Sequence, residues 1–190
     1  MNKGLEKFYD LVDAFASLPT IGKKSALRLA YHIVMDDNYS GMKIAHSIEN
    51  ALNNIQRCVK CGSMSEHEIC EVCLDDTRQR DKMCIVQSAK DIFIIEDSKQ
   101  FDGLYFVIED LDPDSLDRLN NFVDENHIKE LLFAITPSLS NDAFILYIED
   151  KLKDKGITFA KIAQGVPTGV SLENVDILSL AKAIQSKVDI

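Results

Sequence analysis

Leu5, Phe8, Leu11, Val12 and Phe15 recur at the spacing of a helix that buries one face, which predicts a first amphipathic helix ending near Ser17. Pro19 and Gly22 then break the chain. Ala26, Leu27, Leu29, Ala30 and Ile33 start a second helix, and Ile44, Ile48, Leu52 and Ile55 form a further stripe expected to face a core or another subunit. From Cys84 onward the period shortens. Apolar runs at 84–87, 104–108, 130–135 and 157–162 read as strands, with amphipathic stretches between them whose ends carry helix signals. Ser88 with Asp91 suggests a capping box, and Asp112 stands ahead of Pro113. Ser140 precedes Phe144, Ile145, Ile148 and Leu152, a run closed by Lys153, Lys155 and Gly156. Strands alternating with helices predict an α/β fold whose parallel sheet is covered on both faces. A turn-rich segment, 165–169, leads to a last short helix with Leu178, Leu180, Ala181 and Ile184.

Between the helical and the strand-bearing parts lie Cys58-Val59-Lys60-Cys61 and Cys70-Glu71-Val72-Cys73. Two such turns place four thiolates around one tetrahedral zinc and leave no position open for substrate, so the expected site is structural. Gly62 suits the tight backbone of a knuckle. The alternatives are a disulfide framework or buried thiols, but four of five cysteines within sixteen positions, in a chain without a signal peptide, favour metal. His67 could replace a cysteine ligand; four sulfurs already fill the shell, so it reads as a loop residue. Cys84 falls in an apolar run and reads as a packed strand thiol. Apart from the cysteines, the stretch from Cys58 to Asp76 has only Val59, Met64, Ile69, Val72 and Leu74 to bury, so zinc is its expected folding energy.

The chain of 190 residues suggests one core domain with smaller modules, and no apolar run or leader points to a membrane, so a soluble cytoplasmic protein is expected. Its net charge of −10 would argue against nucleic acid, yet residues 1–57 carry seven basic against six acidic side chains and the remainder fourteen against twenty-five. Between Asp13 and Asp36 stand only Lys23, Lys24 and Arg28. The run Leu18-Pro19-Thr20-Ile21-Gly22-Lys23-Lys24-Ser25 resembles a helix-hairpin-helix motif, which offers the amides of a helix N-terminus to a phosphate. Lys23, Lys24 and Arg28 would add charge on that side. Thr20 stands where the motif has its first glycine. The other reading of the run is a plain helical hairpin with exposed lysines.

Taken in order, this hairpin, the four cysteines, the strand running from Cys84 into Gln87-Ser88-Ala89-Lys90-Asp91-Ile92 and the Gly165-Val166-Pro167 turn resemble the RecR family of bacterial recombination mediators. The resemblance implies a helix-hairpin-helix region at 1–56, a zinc finger at 57–78, a Toprim-like domain at 79–164 and a C-terminal segment at 165–190. It implies homo-oligomers, a ring, dimer or tetramer, clamped on single-stranded or gapped DNA. RecO-type and, where present, RecF-type partners would help it load RecA. Two departures fall on the sheet's strand ends. Gln87 stands where the family usually has glutamate, and the loop after the second strand is shortened to Glu109-Asp110-Leu111-Asp112-Pro113-Asp114. The competing class is a Toprim-type phosphoryl-transfer enzyme with Mg²⁺ on Glu109, Asp110 and Asp112. Such an enzyme is expected to have a glutamate on the first strand and an Asp-x-Asp pair after the third. This chain has Gln87 and Thr136-Pro137-Ser138 there, so no enzymatic activity is expected and the acids read as a helix-capping cluster.

Overall fold

The structure is a computed structural model that describes residues 4–163, 165–166 and 168–185; Pro167 of the expected turn lies outside them, as does the side chain of Leu178. Two compact units emerge, Met1–Ile55 and Gln56–Ile190.

In the first unit, α1 (Glu6–Ala16) and α2 (Lys23–Tyr31) close on each other, and a π-helical stretch (His32–Asp36) leads to α3 (Asn38–Asn54). Val12, Ala26 and Ala30 form the buried centre, with Phe8, Leu11, Phe15 and Ile21 around it. Two alanines at the contact let the helix backbones approach closely. Asp37 caps α3 by accepting the Ser40 amide at 2.9 Å. The stripe on α3 is not core within one chain: Ile44, Ile48 and Leu52 are 43, 55 and 79% exposed, and α3 buries no residue at all. Its apolar spacing is compatible with either role, and only the tertiary structure separates them.

The second unit opens with a two-stranded ribbon, β1 (Gln56–Arg57) against β2 (Met64–Ser65), followed by a single turn of helix, α4 (Glu71–Leu74). Then come β3 (Gln79–Val86), α5 (Ala89–Ser98), β4 (Gly103–Val107), α6 (Pro113–Asn126), β5 (Glu130–Phe133), α7 (Leu139–Leu152), β6 (Thr158–Lys161) and α8 (Ile177–Gln185). The four long strands make one parallel sheet in the order β4-β3-β5-β6. β3 starts five residues before the expected 84, because Gln79 to Lys82 are all polar and carry no strand alternation, yet Gln79 and Lys82 pair at the sheet's entry.

Period-two alternation splits each strand between two cores. Met83, Ile85, Leu104, Phe106, Leu131 and Phe133 face Leu119, Phe122 and Val123 of α6 and Phe144, Ile148 and Leu152 of α7. Cys84, Val86, Tyr105 and Val107 face Ile92 and Ile95 of α5. The sheet is thus covered on both faces. Cys84 is fully buried there, and burial pushes its thiol up to about 12, so it is an inert strand thiol.

Two helix starts differ from the sequence pattern. Ser138, not Ser140, caps α7, its hydroxyl accepting the Asn141 amide at 3.1 Å, because the helix already begins at Leu139. Ser88 precedes α5 but its side chain caps nothing; the Asp91 amide bonds to the Ser88 carbonyl instead. Asp112 caps α6 as expected, taking the Ser115 amide at 2.9 Å and its hydroxyl at 2.7 Å, and these bonds lower its pKa.

β4 is an edge strand buried at all five positions, so its outer backbone groups need partners. Arg78 provides one, donating from Nε to the Gly103 carbonyl at 2.8 Å. Its guanidinium also grips Glu96 at 2.6 and 2.9 Å and lies over the Tyr105 ring. The Arg78 bonds hold the Glu96 carboxyl below its ordinary value. The second partner comes from the cysteine module.

Candidate metal centre and nucleic-acid interface

The first cysteine turn closes through the Gly62 amide to the Cys58 carbonyl at 2.9 Å and the Cys58 amide to the Ser63 carbonyl at 2.7 Å. Gly62 has φ of +78°, a region open to glycine at little cost. A side chain would also be tight there, since a Cβ would lie 3.3 Å from Cβ of Val107 and the neighbour would have to yield by a few tenths of an ångström. The second turn, Cys70 to Cys73, is wound into α4, and the Val59 amide bonds across to the Glu68 carbonyl at 3.0 Å.

These turns bring the sulfurs of Cys58, Cys61, Cys70 and Cys73 within 4.8 Å of one another, all four buried. Zn–S bonds of about 2.3 Å set tetrahedral sulfurs about 3.8 Å apart. The Cys58–Cys73 and Cys61–Cys70 separations of 4.0 and 3.5 Å bracket that value, so the donor set fits zinc. The Cys70 amide points at Sγ of Cys58 from 3.3 Å, the kind of bond that stabilises a thiolate. Sulfur contacts drive the thiols apart in acidity: donation from Cys61 pulls Cys58 down, while Cys58 and its neighbours push Cys73 up. Four such groups hold neither four protons nor four bare charges comfortably, and a divalent cation resolves the conflict. His67 is exposed, with its amide on the Ser65 hydroxyl, and takes no part.

In the first unit the hairpin runs from Ser17 to Gly22. Thr20 sits at φ +68°, so this position does demand the left-handed backbone that glycine adopts freely. Gly22 is extended, and no side chain caps the start of α2. Its first-turn amides are therefore left to solvent or an anion. Lys23, Lys24 and Arg28 are all exposed on this helix. Thr20→Gly relieves left-handed strain of about 1–2 kcal/mol and gives back about 0.5–1 kcal/mol in chain entropy. A higher unfolding midpoint in urea is the expected result.

At the sheet, the topological switch point lies between β3 and β5, where such folds place ligands. Here Gln87 and Asn141 occupy it. Their amides exchange bonds of 3.0 and 3.2 Å, and Asn141 also donates to the Thr136 carbonyl at 2.7 Å. Glu109 is not grouped with Asp110 and Asp112; Arg57 holds both its oxygens, at 2.9 and 3.1 Å. Among the described residues the four cysteines are the one group arranged to hold a metal. The links from Arg57 to Glu109 and from Gln87 to Asn141 span more than fifty residues and leave no local sequence signal.

Comparison with known proteins agrees with this arrangement. The family model for the RecR helix-hairpin-helix matches residues 8–52, and that for the RecR four-cysteine zinc finger domain matches residues 55–75. Recombination protein RecR of Campylobacter jejuni subsp. doylei is 52% identical over 190 residues, all of both chains. That of Nitratiruptor sp. is 51% identical over the same full length, and that of Helicobacter pylori is 46% identical over 97% of this chain and 95% of its own. Full-length identity at this level, together with the matched helix-hairpin-helix and four-cysteine regions, means that the chain belongs to the RecR family of recombination proteins.

Proposed function

We propose that this protein is a non-enzymatic DNA clamp that mediates recombinational repair in the cytoplasm. Copies of the chain assemble into a ring, dimer or tetramer on single-stranded or gapped DNA, and with RecO-type and, where present, RecF-type proteins help to load RecA. The segment 1–56 binds DNA through Lys23, Lys24 and Arg28, the segment 57–78 holds zinc on Cys58, Cys61, Cys70 and Cys73, and the Toprim-like segment 79–164 with the tail 165–190 offers surface for partners. The observation that carries this reading is the uncapped start of α2 behind a left-handed hairpin residue, with three exposed cations and no acid between Asp13 and Asp36.

The absence of catalysis rests on the strand ends. An amide cannot serve as general base, and Gln87 is tied to Asn141. Of the three acids that Mg²⁺ would need, Glu109 is engaged by Arg57 and Asp112 by Ser115. The alternative, a Mg-dependent Toprim-type nuclease or primase, shares the same fold and is separated by one assay. Incubated with single-stranded, gapped and supercoiled DNA and Mg²⁺, the protein is expected to retard DNA, with affinity falling as salt rises, and to leave its covalent structure intact. Cleavage, relaxation or primer synthesis that disappears in an Asp110→Asn, Asp112→Asn variant would establish the alternative.

A further inference from the structure

The cysteine turn does more than enclose a metal. The carbonyl of Cys61 accepts the Val107 amide at 2.8 Å, which supplies the missing partner at the outer edge of β4. Gly62 lies against Val107, and Arg118 of α6 lies over the Phe106 ring with its guanidinium beside Gly62. The four cysteines belong to the same core as Leu104, Phe106 and Ile108. Immediately beyond, the segment 109–112 leaves the sheet on the exposed surface, tied back to the module through Glu109 and Arg57.

We propose that the zinc module is a clamp on the edge strand β4, so that metal occupancy sets the conformation of the exposed Glu109-Asp110-Leu111-Asp112 segment at the sheet's C-terminal end. The parts contribute unequally. The ion pair is 64 and 49% exposed on its two side chains, so solvent screening leaves it a weak contact even with both oxygens engaged. The Cys61–Val107 bond and the shared core carry the coupling, and the ion pair only tunes the segment. Val107 is also the last residue of β4, so freeing it frays the strand at the point where 109–112 begins. A partner that docks on 109–112 and distinguishes its two conformations would alter zinc affinity by the same factor as zinc alters its own.

Amide hydrogen exchange and backbone chemical shifts of the full chain test this, comparing zinc-loaded protein, chelator-stripped protein and the Arg57→Gln variant with zinc bound. Stripping is expected to release 58–73 together with Val107, by about tenfold or more for the loss of one buried backbone bond, and to shift the resonances of 109–112, while β5 keeps its protection. Arg57→Gln is expected to keep one zinc per chain and shift resonances only within 109–112. If stripping freed 58–73 but left Val107 and 109–112 unchanged, no clamp would exist. Uniform loss of protection that included β5 would equally overturn the proposal, because zinc would then support the whole unit.

Discussion

Replacing Cys61 and Cys70 together with serine is expected to remove zinc from a protein that otherwise carries one ion per chain, and to unfold the segment 58–76. The magnitude follows from what that segment can bury. Of its apolar side chains other than cysteine, Ile69 and Val72 pack against the core, whereas Val59, Met64 and Leu74 are exposed. A structural zinc site supplies on the order of 10 kcal/mol or more at neutral pH, far above what two half-buried side chains return against the entropy of ordering the segment. The sheet loses only the contacts made by the module, so the second unit is destabilised but remains folded. Metal analysis and far-ultraviolet dichroism of the double variant check both parts. Full zinc retention would show that other residues bind the ion, and unchanged order in 58–76 without zinc would show that packing alone holds the module.

The parts legible in the sequence were those whose physics is local. A Cys-x-x-Cys turn fixes its own geometry, Asp112 ahead of Pro113 caps its own helix, and the strand runs carry their period whatever lies opposite. Thr20 was legible in part: it stands where the motif has its first glycine, and the backbone there is left-handed, with φ +68°. What could not be read depends on residues far apart in the chain. The α3 stripe fits a core equally well by spacing and is exposed in the single chain, because Val12, Ala26 and Ala30 already fill the contact between α1 and α2. Arg57 next to Cys58 looks like a stray cation until the fold brings Glu109 to it. Gln87 reads as a missing glutamate, but its role as a tie to Asn141 emerges only when β3 and β5 become neighbours. The acids of 109–112 read as a helix-capping cluster in the sequence, which holds for Asp112 and not for Glu109. In space one faces an arginine and another a helix start.

The variant Lys23→Ala with Arg28→Ala is expected to lose most DNA retention while leaving the fold and the proposed oligomer intact. Both side chains are exposed on α2 and make no ion pair among the described residues, so their removal deprives no neighbour of a partner. With Lys24 they would neutralise about three phosphates, giving a salt slope near −2.7 for duplex contacts and somewhat less for single strands. Removing two should leave a slope of about −0.9 and weaken binding on the order of 10- to 100-fold at moderate salt, where screening trims each charge-assisted contact. Such contacts are weak singly. A ring that links several patches raises avidity without any new contact, and the same multiplication deepens the loss when every patch is altered. The acidic remainder of the chain, fourteen basic against twenty-five acidic side chains beyond residue 57, offers no alternative phosphate track of comparable charge. Retention assays across a salt series, with sedimentation to confirm the oligomer, decide the matter. An unchanged slope in the double variant would move the DNA site away from α2.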